Sequence, residues 1–186
     1  MPHLLFRESS VEREAWREVI ACDDLRDFRR KSRYDEAMQL SPHFADTELG
    51  VSGAFPTIVA NAMVLCNVLL EPLRAKFGPI LITCGYRNPQ HNAAVGGAPD
   101  SQHLYQGQNA AADFRPLAVD LTVAFDWIRL QSHLPFDQVI LETDPGTQIP
   151  ACIHISYNGA LTKQRRMALT GETNGAEAYT AVQVNP

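Results

Sequence analysis

The sequence predicts an α+β fold, a small antiparallel sheet packed with helices in a single domain with a helical N-terminal appendage. Three observations predict it. Residues 57–77 carry apolar side chains at a helical period. Two β-rich runs, FDQVILE (136–142) and ACIHISY (151–157), lie close together later in the chain. Helices therefore come first and paired strands afterwards, the order of an α+β domain. The length, 186 residues, suits one domain with a short appendage. It is long enough to bury a core without metal or disulfide staples. We expect an appendage over 1–39, a main domain over 40–170 and a loosely ordered tail over 171–186.

Taken in order, residues 9–38 predict a highly charged helix, capped by Ser9 or Ser10, with a narrow stripe of Trp16, Val19 and Ile20. LSPHFADTELG (40–50) predicts a turn and a short helix. In 57–77 the apolar positions are Ile58, Ala62, Leu65, Cys66, Leu69, Leu73 and Phe77, and Gly78 with Pro79 ends the helix. PILITC (79–84) is a strand, GYRNP (85–89) a turn, 89–95 one or two helical turns and 95–101 a loop. Residues 109–114 form a further strand. A second core helix spans 117–132 through Leu121, Phe125, Ile128 and Leu130. The two β-rich runs make a hairpin with a long loop carrying Pro145, Gly146 and Pro150.

Charge and cysteine usage narrow the function. The formal net charge is −5 at pH 7. The densest basic run, Arg29, Arg30, Lys31 and Arg33, is interleaved with Asp27, Asp35 and Glu36, the pattern of a solvated face. No basic stripe points to nucleic acid. Cys22, Cys66, Cys84 and Cys152 show no CxxC spacing, and the last three sit in apolar runs as reduced core thiols. The opening MPHLLFRESSVERE lacks the apolar core of a secretory signal. The apolar stretch 58–70 is broken by Asn61 and Asn67 and is too short to span a bilayer. We expect a monomer made in the cytoplasm without a signal peptide and without stable membrane insertion.

Six histidines are present, at 3, 43, 91, 103, 133 and 154. His103 lies in a Gly/Pro/Ser loop and is followed by Asp113 on a small-residue strand. His154 lies mid-strand between two isoleucines. Two neutral imidazoles and one carboxylate are a common ligand set for catalytic zinc, with a fourth position open. Strand alternation places Glu142, Cys152, His154 and Ser156 on one face of the hairpin, and Val139, Leu141, Ile153, Ile155 and Tyr157 on the other. Glu142 then shares a face with His154 and is in position to act as a base. Spacing alone leaves other readings open. His103 and His154 also read as structural histidines, Asp113 as a cap and Glu142 as a solvated strand end.

A resemblance weighs on that choice. LSPHFADTEL (40–49), LLEPLRAKFGPILITCGYRNPQHNAAVGGAPDSQHLY (69–105), AADF (111–114), FDQVILE and CIHISY (152–157) resemble, in order, the M15 group of zinc peptidases. That group is the D-alanyl-D-alanine carboxypeptidase and phage endolysin type, and the likeness is to its compact phage and prophage branch. The resemblance implies a zinc peptidase domain in which His103, Asp113 and His154 hold Zn2+. It implies that Arg87 binds substrate oxygens, which suits a planar guanidinium, and that Ser101 and Gln102 lie beside the first ligand, orienting it and lining the substrate site. Two departures stand out. The family pattern Ser-x-His-x-x-Gly-x-Ala-x-Asp places the aspartate seven positions after the histidine, whereas His103 and Asp113 are ten apart. A bulge around 106–109, where Gly107 permits unusual dihedrals, is one way to absorb the difference; a widened cleft or an impaired site are the others. The acidic base that many members carry three residues before the last histidine is here Ala151. Glu142 is the expected replacement, with Asp144 as runner-up.

The implied function is zinc-dependent hydrolysis of an amide bond in the stem peptide of peptidoglycan, as carboxypeptidase or endopeptidase. It would act on the wall after release from the cell or as part of a virion. Two rivals remain at this point. One is a catalytically impaired wall-binding or tail protein on the same fold. The other is a non-haem iron oxygenase, which uses the same ligand types but on β-rich folds.

Overall fold

The computed structural model describes residues 37–173 and 179–185. The expected appendage helix, its basic run, Cys22 and His3 lie outside the described residues. The described chain opens with a two-stranded hairpin, β1 (Gln39–Ser41) and β2 (Phe44–Ala45), followed by turns. No short helix forms over 40–50, contrary to expectation. Side-chain carboxylates take the amides instead. Glu48 accepts from the Ala45 N–H at 2.8 Å, and Glu71 accepts from the Ser41 hydroxyl and the His43 N–H. Such bonds compete directly with helical ones.

Helix α1 (Pro56–Phe77) is α-helical over Pro56–Leu65, widens to a π-helical stretch over Cys66–Leu70, and resumes over Glu71–Phe77. Pro72 accounts for the wide turn. Its ring has no N–H and would clash with the carbonyl four residues back in a regular helix. The helix matches the predicted 57–77 span, and by length and composition alone it could cross a membrane. Its Leu65, Leu69, Leu70 and Leu73 are instead fully buried in the core. Gly78, at φ +76°, ends it in a conformation other residues rarely adopt.

The main sheet comprises β3 (Ile80–Cys84), β4 (Asn109–Pro116), β5 (Gln138–Thr143), β6 (Pro150–Asn158), β7 (Met167–Glu172) and β8 (Thr180–Ala181). Their order is β3-β4-β6-β5-β7-β8. The predicted hairpin is β5–β6, in the register Ile140 to His154 and Glu142 to Cys152. Helices α2 (Pro89–Ala94) and α3 (Leu121–Leu130) complete the α+β fold. Asp120 caps α3 by accepting from the Thr122 and Val123 N–H groups.

The sheet is larger than expected and mixed, because β7 runs parallel to β5. Part of the presumed loose tail belongs to it. Gly171 and Glu172 end β7, β8 pairs with β7, and Val182 and Val184 pack on the core. Period-two alternation divides the sheet. Ala110, Ala112, Phe114, Val139, Leu141, Ile153, Ile155 and Ala168 join the core that includes α1 and α3. The other face carries Asp113, His154, Cys152 and Glu142, which the pairing sets side by side.

Candidate metal centre

Asp113 and His154 are directly paired across β4 and β6. His103 comes from a 3-10 turn, Gln102–Leu104, whose backbone is tied to the turn after β3 by Arg87 N–H to the His103 carbonyl, 2.8 Å. Three donor atoms meet. His154 Nδ1 lies 2.9 Å from Asp113 Oδ1, His103 Nε2 lies 3.2 Å from the same oxygen, and the two ring nitrogens are 3.1 Å apart. All three side chains are buried.

The three extra residues between His103 and Asp113 form a turn. Tyr105 and Gly107 both take positive φ, and the Asn109 N–H closes a turn onto the Gln106 carbonyl. Asn61 of α1 donates to the carbonyls of both Tyr105 and Gly107 at 3.0 Å. The extra residues thus form an anchored turn, and β4 starts in register.

A metal ion fits this donor set. Zinc bonds of about 2.0–2.1 Å in a tetrahedron put ligand atoms about 3.3 Å apart, close to the separations seen. The tautomer also fits. His103 Nδ1 lies 2.7 Å from the Gly85 carbonyl, so Nδ1 carries a proton there and Nε2 presents its lone pair to a cation. Gly85 lets this turn pack against the backbone of Leu49, since a Cβ would lie 2.4 Å from the Leu49 carbonyl oxygen.

Without an ion, charge sets the protonation. Burial opposes charging His103, but Asp113 outweighs it and holds the imidazole up at about 10. Burial likewise opposes the Asp113 carboxylate, and His103 with His154 overrides it, holding the group far below the usual carboxylate range. Metal-free protein at neutral pH therefore carries a proton where the cation would sit.

The remaining predicted residues have protein partners. Arg87 donates from Nε to Cys84 Sγ at 3.1 Å and from one terminal nitrogen to Asp113 Oδ2 at 3.2 Å. Ser101 Oγ accepts from the His103 N–H. Gln102 donates to Asp137 Oδ2 at 2.9 Å, so its side chain is drawn to a fully buried carboxylate. Glu142 accepts from Tyr179 Oη at 3.1 Å and lies 3.6 Å from Cys152 Sγ. Asp144 is exposed in the turn between β5 and β6. His43, His91 and His133 are exposed, away from the buried cluster.

Cys84 corrects the sequence reading. A regular β3 would put Ile80, Ile82 and Cys84 on the core face. A bulge between Ile82 and Cys84 makes Ile82 pair with Phe114 and Cys84 with Asp113, so the thiol turns to the site face. It is half-buried and falls within ligand distance of His103 and Asp113. Its contact with His103 is 4.0 Å, to the Nδ1 already engaged by Gly85. The His154 ring nitrogen is nearer, 3.1 Å from His103 Nε2 and 2.9 Å from Asp113 Oδ1. Burial pushes the thiol up, but His103 and Arg87 outweigh it and lower it. Tyr179 was missed altogether, because it lies in a stretch without periodicity.

The family described as Peptidase M15 matches over residues 41–138. The match takes in His103 and Asp113 and stops before Glu142 and His154. No curated protein matches the chain.

Proposed function

The chain belongs to the peptidase M15 family, a family of metallopeptidases, and from that premise we propose that it uses Zn2+ to hydrolyse an amide bond in the stem peptide of bacterial peptidoglycan. His103, Asp113 and His154 would hold the ion. The observation that carries the proposal is the convergence of His103 Nε2, Asp113 Oδ1 and His154 Nδ1 within 3.2 Å of one another. A zinc ion there supplies Lewis-acid polarisation of a carbonyl and a lowered pKa for water.

The chain's own residues divide the remaining work. Glu142 stands diagonally from His154 on the same sheet face. Such neighbours are roughly 7–8 Å apart, a span that a glutamate side chain and one water cover. Glu142 takes the proton of the attacking water and returns it to the leaving amine. It fills the role that Ala151 cannot, and it lies closer to the paired ligands than exposed Asp144. Arg87 holds Asp113 through Oδ2, and its remaining N–H groups face substrate carboxylate or carbonyl oxygens. Ser101 and Gln102 set the 3-10 turn that presents His103. The acidic chain gains no long-range steering towards an acidic wall, so contacts at the site must supply specificity.

The resemblance to the phage and prophage branch supports action on the wall after release from the cell, or from within a virion. The test is digestion of purified peptidoglycan by the zinc-loaded protein, with products identified by mass. New amino termini or released D-alanine are expected. Bound zinc without cleavage would favour the wall-binding reading instead.

A further inference from the structure

We propose that Tyr179, carried by the C-terminal segment, is a positioning residue that fixes the Glu142 carboxylate for proton transfer. The proposal rests on the reading of Glu142 as the base. Two observations outside the metal ligands carry it. Tyr179 Oη donates to Glu142 Oε1 at 3.1 Å. The ring reaches that oxygen only because residue 171 is glycine. A Cβ on Gly171 would lie 2.4 Å from Tyr179 Cδ1 and 2.9 Å from Cε1.

The pairing explains the placement. Gly171 of β7 is the register partner of Glu142 on β5. The missing side chain leaves a gap beside Glu142, and the Tyr179 ring fills it. Just after Tyr179, β8 holds the segment in place by pairing Thr180 with Thr170 and Ala181 with Leu169. The Val182 N–H adds a bond to the Ala168 carbonyl, 2.9 Å.

The consequence for Glu142 is directional. Oε1 is engaged by a phenol, which is a strong donor to a carboxylate. Among the described residues, Oε2 meets the Cys152 thiol at 3.6 Å, a weak contact. Oε2 is thus the oxygen left to exchange a proton with water, and the phenol keeps the carboxylate from rotating away. Burial, then the Glu142 charge, pushes the Tyr179 phenol up, so it stays protonated as a donor throughout the neutral range.

The experiment uses the full zinc-loaded chain with a soluble stem-peptide substrate. Tyr179→Phe should lower kcat about tenfold, the scale of one hydrogen bond to a charged group, with KM and zinc content unchanged. Gly171→Ala, which displaces the ring, should give the same loss. Wild-type kcat in Tyr179→Phe beside an inactive Glu142→Gln would overturn the proposal. A second readout does not depend on turnover. With tyrosine labelled at Cζ, the Tyr179 resonance is assigned by its absence in Tyr179→Phe. In Glu142→Gln its titration should move to lower pH, and an unmoved titration would overturn the contact. Wild-type protein inactive on every stem peptide would instead refute the proposed function, with the resonance still reporting on the contact.

Discussion

At the residue scale, three side chains act as one unit. His103 is held protonated in the metal-free protein by Asp113, up at about 10. A cation must displace that proton. We expect zinc binding at pH 7.5 to release about one proton per ion, read as a dependence of calorimetric heat on the ionisation enthalpy of the buffer. Zero release would mean that His103 is neutral beforehand. His154→Ala should abolish zinc uptake and activity while the far-ultraviolet spectrum stays that of wild type. Glu142→Ala should keep zinc and lose about 10²–10⁴ in kcat, the range of a general base. Wild-type turnover in that variant would move the base elsewhere. The cluster of His103, Asp113 and His154 was legible in the sequence because an imidazole amid isoleucines and a carboxylate on an alanine-rich strand are unusual. Cys84 was not, because one bulge reverses its face and bulges leave no period in the sequence.

At the element scale, turns and strand register bring His103, Asp113 and His154 together. The core helix, β3, β4, α3 and the β5–β6 hairpin followed from apolar period and turn residues. The short hairpin at 39–45 did not, since distant Glu71 supplies the acceptors that replace a helix. β7 did not either, for its run MALTGE has no clean alternation and is fixed by pairing with β5. Asn61 shows how one helix residue controls the site. It broke the apolar stretch in the sequence, and in the fold it ties the turn that spans the extra residues before Asp113. Asn61→Ala should cost about 1–3 kcal/mol, the range for orphaned buried groups, and weaken zinc affinity as well. Urea unfolding and a zinc titration measure the two effects. An unchanged zinc affinity would show that the turn does not position His103.

At the scale of the whole molecule, the sheet separates two kinds of chemistry. Its apolar face closes the core with α1 and α3, and its other face carries Asp113, His154, Cys152 and Glu142. A second buried charge ties the last strands to that frame. Asp137, fully buried, accepts from the Arg165 N–H and Nε and from Gln102. Burial raises its pKa, but the Arg165 bonds outweigh that and lower it. Its stabilising contribution is therefore complete above the unfolded value of about 3.9 and is lost as pH falls through the lower folded value. Asp137→Asn should flatten the acid limb of the stability curve below about pH 4, seen in melting temperature against pH. Zinc at a thousand times its Kd should add about 4 kcal/mol of stability.

The most direct measurement is anomalous diffraction at the zinc edge from crystals of the protein grown with zinc. A single strong peak is expected within bonding distance, about 2.0–2.2 Å, of His103 Nε2, an Asp113 oxygen and His154 Nδ1. A saturated crystal with no density between those three side chains, or with its zinc bound elsewhere, would contradict the assignment.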